Sequence, residues 1–307
     1  MISPMAKPLL ISVVGPTAIG KTSLSIEIAN HFKTEIVSTD SRQFYKEMRI
    51  GTAVPSLEEL NSAPHHFIQH LSVNDSYSVG EFETDAMTLL QNLFKRHSCV
   101  VAVGGSGLYM KAITEGFDDF PELDPSIRVA LNDIHKKKGL SPLQQELKLL
   151  DPDSFKSIDL NNPQRLIRAL EVSKGTGIPF SRFKTEPKKE RFFDVLTIGL
   201  TADRNIIYDR INKRVDLMVD NGLIEEVKSL YEFKNLNALN TVGYKEVFEY
   251  LDNKLTLEEA IEKIKMNTRR FAKRQLTWYR KDNSINWFNY PVSSSNVLAF
   301  VNNAINN

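Results

Sequence analysis

The sequence predicts an α/β fold: a parallel sheet with helices on both faces, plus a helical insertion and a mostly helical C-terminal part. Three observations predict it. Short apolar runs of strand length alternate with segments of helical periodicity. The first run opens directly into a glycine loop followed by a helical pattern. From about Asp118 to Glu190 the strand signal disappears and helical patterns take over.

The elements follow in order. Leu9 to Val14 is an apolar run of the kind found in parallel strands buried on both faces. Lys21 to about Phe32 places Leu24, Ile28 and Phe32 on one helical face. Glu35 to Ser38 reads as a second strand, Cys99 to Val103 as a third, and Phe193 to Leu200 as a fourth. Between the third and fourth, helices are expected at Pro125 to Lys138, Pro142 to Leu150 and Pro163 to Ser173, before a polar, basic loop from Arg182 to Arg191. Further helices are expected at about Arg204 to Val219, Ile224 to Phe233, Tyr244 to Leu251 and Leu257 to Lys281. This divides the chain into a core of residues 1–117 and 191–307 and an insertion of residues 118–190. Ligands of such sheets sit at the carboxyl ends of the strands, which is where the motifs below fall.

Composition narrows the function classes. With 307 residues and 41% hydrophobic content, the chain can bury a sizeable core. Its formal net charge is +1, so nucleic acid would have to be held by local patches and not by a global field. Cys99 is the one cysteine, which excludes a disulfide framework and a multi-cysteine zinc site and fits a reducing compartment. No apolar run reaches the ~18 residues of a membrane span. A cytoplasmic, monomeric protein without a membrane partner is expected.

Gly15-Pro16-Thr17-Ala18-Ile19-Gly20-Lys21-Thr22 fits the P-loop pattern of nucleotide- and ATP-binding proteins in full, with a strand before it and a helix after it. This makes the sheet P-loop NTPase-like. The glycines let backbone N–H groups turn onto phosphate oxygens, and the helix N-terminus adds partial positive charge. Lys21 neutralises phosphate, Thr22 is a candidate ligand for Mg²⁺, and the Thr17 hydroxyl can bond a nearby phosphate oxygen. An ATPase usually brings a second Mg²⁺-handling Asp on a neighbouring strand end. Here the third strand ends in Gly104-Gly105-Ser106-Gly107, and the acid at a strand end is Asp40. Asp40 fits a proton acceptor facing the loop, and equally a helix N-cap. Arg210 and Arg214, one helical turn apart, reach the same phosphates or form a solvated helix face.

The motifs, taken in order, resemble the tRNA dimethylallyltransferase family over nearly the whole chain. Beside the P-loop they are Asp40-Ser41-Arg42-Gln43-Phe44-Tyr45, Ile50-Gly51-Thr52-Ala53, His65-His66-Phe67-Ile68 and Gly104-Gly105-Ser106-Gly107-Leu108-Tyr109. Asn162 to Glu171, Gly243-Tyr244-Lys245-Glu246 and Arg274-Gln275-Leu276-Thr277-Trp278 complete the set. The resemblance implies transfer of a dimethylallyl group from dimethylallyl pyrophosphate to the exocyclic amine of the adenosine beside the anticodon in tRNA, with Mg²⁺. It implies Asp40 as general base and Gly15 to Thr22 as the pyrophosphate site; Lys21 and Thr17, whose charge and hydroxyl suit the departing pyrophosphate, are the further catalytic candidates. Asp40, Ser41, Arg42 and Gln43 are implied RNA contacts, as are Gln164, Arg165, Leu166, Ile167 and Arg168. Ser106 and Arg128 are implied single contacts. The sequence departs from the family in three places: Ser106 stands for Thr, Val54 for a common Lys, and Gln69 and His70 occupy the region of an expected Asp.

Arg269, Arg270, Lys273 and Arg274, with Lys263, Lys265, Arg280 and Lys281, make the last long helix the strongest basic cluster. It reads as a track for the phosphate backbone of the tRNA anticodon stem-loop, or as a salt-bridged surface helix. Lys136 to Lys138 and Arg182 to Arg191 are a candidate second track. The Gln164 to Arg168 segment also fits an ordinary amphipathic helix with Leu166 and Ile167 in a core. His65 and His66 are adjacent and point to opposite faces in a strand, which argues against a metal pair. Rival readings are a small-molecule kinase, a prenyltransferase acting on free nucleotides, and a non-catalytic RNA-binding switch.

Overall fold

The computed structural model describes residues 7–117, 120–183 and 189–306. The chain divides into two compact units, one formed by residues up to 115 and from 191 onward, the other by residues 116–190.

The first unit is built on a six-stranded sheet, β3-β2-β4-β1-β5-β6. Its strands are β1 (Leu9–Val14), β2 (Ile36–Ser38), β3 (His65–His66), β4 (Cys99–Val103), β5 (Asp194–Thr201) and β6 (Asn286–Asn289). Every neighbouring pair is parallel. β1 lies between β4 and β5, and Leu10, Ile11, Val13 and Val14 are fully buried, which explains their unbroken apolar run. Burying each such side chain contributes about 1.5–3 kcal/mol relative to leaving it exposed.

Helices α1 (Lys21–Phe32), α2 (Leu57–Ser62), α3 (Val79–Leu93) and α4 (Gly107–Thr114) link the early strands. Reciprocal caps start two of them: Ser56 with Glu59 and Ser78 with Glu81. The second unit consists of α5 (Pro125–Lys138), α6 (Ser141–Leu150), α7 (Pro152–Ser157) and α8 (Pro163–Thr176). It has its own core of Leu131, Leu143, Leu147, Leu166, Ile167, Ala169 and Leu170. After β5 the first unit continues with α9 (Arg204–Asp220), α10 (Leu223–Ser229), α11 (Tyr244–Leu251), α12 (Leu257–Tyr279) and, beyond β6, α13 (Ser294–Asn306).

Several elements differ from the sequence reading. β3 and β6 add edge strands of two and four residues that a periodicity argument cannot resolve. The helix expected from Ile224 to Phe233 ends at Ser229 and gives way to a 3₁₀ turn at Tyr231–Phe233. The expected basic loop begins inside a 3₁₀ turn, Phe180–Phe183, and its residues 184–188 lie outside the described residues. Among the described residues, no helix is long and apolar enough to cross a membrane.

Candidate active site

The carboxyl ends of β1, β2 and β4 open into a cavity of about 450 Å³. It is lined by Thr17 to Ser23, Asp40, Gln43, Thr52 to Pro55, Glu59, His65, Ile68, Gly104, Gly105, Arg210, Lys213, Arg214, Leu217, Phe271 and Gln275. Thus the loop between β1 and α1, the acid after β2 and the two arginines of α9 come together, although they are far apart in sequence.

The loop is braced from outside. Ala18 is left-handed, with φ +64°. Its carbonyl accepts the Arg210 Nε–H at 2.6 Å, and the Arg210 guanidinium lies 4.4 Å from the Tyr290 ring centroid and donates to the Tyr290 hydroxyl at 2.7 Å. Arg214 Nη1 donates to the Thr17 hydroxyl at 3.1 Å. The arginines are therefore part of the cavity wall and not a solvated face. Lys21 folds back over its own loop and donates to the Pro16 carbonyl at 2.8 Å.

Burial and mutual charge shift both Lys21 and Asp40. Burial first and then the Arg214 cation lower the Lys21 pKa, against the opposing Asp40 charge, to about 7. Burial pushes Asp40 above the usual carboxylate range, against the Arg42 N–H, which donates to its Oδ1 at 3.2 Å, and against nearby Lys21, Arg42 and Arg214. A diphosphate in this space would restore solvation to Lys21 in the form of phosphate oxygens.

The strand ends meet because Gly104 has no side chain. A Cβ at Gly104 would lie 2.1 Å from Thr39 Oγ1 and 3.1 Å from the Asp40 backbone nitrogen. Gly107 makes the same allowance for the Trp278 ring, at 2.1 Å from Nε1. The absence of an Asp at the end of β4 is thereby explained: this end seats the residues that carry the acid.

The loop from Arg49 to Gly51 is held by one carboxylate. Glu226 accepts the N–H groups of Arg49, Ile50 and Gly51 at 2.9, 2.7 and 2.9 Å, and the Tyr244 hydroxyl at 2.6 Å. This strap supports the cavity wall at Thr52 to Pro55 and escaped the sequence reading. Its signal was the Gly51 and Tyr244 motifs, which carried no hint of their shared partner.

Other sequence-predicted residues are placed as follows. Gln43 spends its amide on the Thr52 and Ala53 carbonyls, at 3.2 and 2.9 Å, and so grips the cavity wall. Arg42 Nη1 donates to the Asn237 and Ala238 carbonyls, both at 2.8 Å. Ser41 lies near the Tyr109 hydroxyl, and Ser106 precedes α4 without a side-chain cap bond. Thr22 lines the cavity at the start of α1.

In the second unit, Arg128 and Arg168 share the Glu171 carboxylate at 2.8 and 3.0 Å, so the structure brings these two together. Arg168 also lies 4.9 Å over the Phe120 ring. Gln164 and Arg165 are exposed. Leu166 and Ile167, at 0% and 3% exposure, place their side chains in this unit's core, as the amphipathic-helix alternative expects. On α12, Arg270, Lys273 and Arg274 are exposed, whereas Arg269 donates to Asn212 at 2.7 Å. Lys263 pairs with Glu249, and Lys265 with Asp216 and Glu262. His65 Nδ1 meets the Ala63 carbonyl at 2.7 Å while His66 Nε2 meets Glu35 at 2.7 Å, on opposite sides of β3.

Residues 43–282 match the profile of a family described as IPP transferase. The chain is 61% identical over 297 residues to the tRNA dimethylallyltransferase of Christiangramia forsetii, covering 97% of this chain and 98% of that one. It is 52% identical over 298 residues to the tRNA dimethylallyltransferase of Flavobacterium johnsoniae, covering 95% and 96%. Among solved structures it is similar to the full-length tRNA isopentenylpyrophosphate transferase of Bacillus halodurans, with 38% identity, a TM-score of 0.73, and 98% and 97% of the chains covered. It is also similar to a eukaryotic dimethylallyltransferase acting on tRNA, with 28% identity, a TM-score of 0.84, and 97% and 80% covered. The glycine-lined strand ends, the P-loop and the acid beside it thus belong to a chain that is a member of the IPP transferase family.

Proposed function

We propose that this protein transfers the dimethylallyl group of dimethylallyl pyrophosphate to the N6 amine of the adenosine next to the anticodon in tRNA, releasing pyrophosphate. The observation that carries the reading is the shared cavity: the P-loop residues Thr17 to Thr22 and Asp40 line the same space.

The adenine amine is a weak nucleophile because its lone pair is delocalised into the ring. As the nitrogen attacks the allylic carbon, the carbon–oxygen bond breaks and its electrons leave with pyrophosphate. The N6 proton passes to Asp40, a step worth about 10²–10⁴-fold. Lys21, the inward N–H groups of the loop and Arg214 stabilise the departing charge, and the Thr17 hydroxyl contacts it. The adenosine must leave its stack to reach Asp40, at a cost of roughly a few kcal/mol.

Mg²⁺ fits this site through Thr22 together with a diphosphate. Among the described residues no cluster of three or more His, Cys, Asp or Glu could hold a metal. Mg²⁺ typically takes one or two protein oxygens and fills its shell with phosphate and water, which Thr22 with a diphosphate satisfies. When bound, Mg²⁺ neutralises developing charge on the leaving group. Contacts with the anticodon stem-loop are assigned to Gln164, Arg165, Arg168 and Arg128 and to the exposed cations of α12. Ser41 and Ser106 are assigned to the RNA strand near the target base.

The test is incubation with an anticodon stem-loop RNA, dimethylallyl pyrophosphate and Mg²⁺, followed by mass analysis of the nucleosides. One adenosine should gain the mass of a dimethylallyl unit. An unmodified RNA, or phosphoryl transfer from a nucleotide in its place, would overturn the reading.

A further inference from the structure

Gln275 enters the strand ends from α12 and is 6% exposed. Its Oε1 accepts the Thr17 N–H at 2.9 Å, and its Nε2 donates to the Gly105 carbonyl at 2.9 Å. A carboxamide supplies an acceptor and a donor from one neutral, planar head, which is what two opposed backbone groups require. The opposite side of Thr17 is held by Arg214, which donates to its hydroxyl. Thr17 is therefore gripped by two helices, its backbone by α12 and its side chain by α9. Gly105 belongs to the same device, since a Cβ there would lie 2.2 Å from Gln275 Nε2.

This grip decides what Thr17 offers an anion. A P-loop binds phosphate through N–H groups turned inward. The Thr17 N–H is spent on Gln275, so this residue presents its hydroxyl and leaves backbone donation to the residues that follow it. We infer that Gln275 is a positioning residue for the diphosphate: it fixes the orientation of Thr17 and ties the loop to α12, the helix whose outer side carries Arg270, Lys273 and Arg274. The identity of the anion rests on the proposed function; the positioning role goes beyond it.

Gln275→Met keeps the length and apolar body of the side chain and removes both hydrogen bonds. In the full-length protein, pyrophosphate binding is measured by calorimetry, and kcat and KM are measured separately for dimethylallyl pyrophosphate and for stem-loop RNA. The variant should weaken pyrophosphate binding and raise the KM for dimethylallyl pyrophosphate by about tenfold or more, as expected for losing a buried hydrogen bond and its orientation. The KM and Kd for RNA should stay within about twofold, below the effect of one such bond. A double-mutant cycle gives an independent readout. Gly105→Ala crowds Gln275, but in the Gln275→Ala background the methyl has space. The double variant should then bind pyrophosphate no worse than Gln275→Ala alone.

Thermal melting identifies variants that fail to fold, and Gln275→Ala, which removes the same bonds without the bulk of Met, replaces Gln275→Met if that one does. Unchanged pyrophosphate affinity in a folded variant, equal losses toward both substrates, or additive effects of the two substitutions would overturn the inference. A wild type that binds pyrophosphate but modifies no RNA would count against the proposed function, and the pyrophosphate data would still decide the role of Gln275.

Discussion

The P-loop cavity and the basic surface of α12 are built on opposite principles. In the cavity, the key groups are fixed by bonds to backbone: Arg210 to Ala18, Lys21 to Pro16, Glu226 to three consecutive N–H groups. On α12 the cations are held by other side chains or by none, with Lys263 and Lys265 paired to acids and Arg270, Lys273 and Arg274 exposed. The cavity is suited to chemistry, which needs fixed geometry. The helix surface is suited to a polyanion of variable shape, for which exposed charge suffices.

Substitutions should separate the two regions. Asp40→Asn is expected to slow transfer by about 10²–10⁴-fold in single-turnover assays while leaving RNA affinity intact, because it removes the proton acceptor and no exposed charge. Gly104→Ala should cost about 10²-fold, by pushing the β2 end and Asp40 out of place. If a folded Gly104→Ala protein turned over normally, the cavity would not be as rigid as the contrast claims. Reversing Arg270, Lys273 and Arg274 to Glu should weaken RNA binding and reduce its salt slope by about one for each lost phosphate contact. The KM for dimethylallyl pyrophosphate should not move, and a shift there would join the two regions.

The smallest effect concerns protons. In the free protein Lys21 sits at about 7, and phosphate oxygens should raise it toward an ordinary lysine. Above pH 7, pyrophosphate binding should therefore take up a proton and weaken as pH rises. Calorimetry in buffers of different ionisation enthalpy measures this, with Lys21→Met as the reference that lacks the uptake. Stability carries the same linkage: between about pH 7 and the ordinary lysine range the unfolded chain holds a proton that the folded chain does not, so this group's contribution to stability rises with pH.

What was legible in the sequence was local. The P-loop, its strand and its helix are contiguous, so Gly15 to Thr22 carried their own context. Asp40 was legible because it ends an apolar run. What was not legible was partnership over distance. Arg42 and Gln43 have the right chemistry for RNA, yet Arg42 bonds carbonyls 195 and 196 residues away and Gln43 holds the cavity wall. Lys263 and Lys265 looked like part of a track because their acidic partners lie on other helices or on the neighbouring turn. Leu166 and Ile167 entered the RNA-contacting set with their segment, although their apolar side chains belong to the core of the second unit. β3 and β6 were missed because two and four residues, most of them polar, carry no period.

The central claim is that a carboxylate held above its usual pKa by burial faces a diphosphate across one cavity and takes the proton of the attacking amine. Its most direct test is the single-turnover rate against pH for wild type and Asp40→Asn, with RNA and dimethylallyl pyrophosphate saturating. The wild-type rate should fall on acidification through a pKa above that of an ordinary Asp, and the slow Asp40→Asn rate should lack that limb. An Asp40→Asn protein with the wild-type rate and profile would contradict the account.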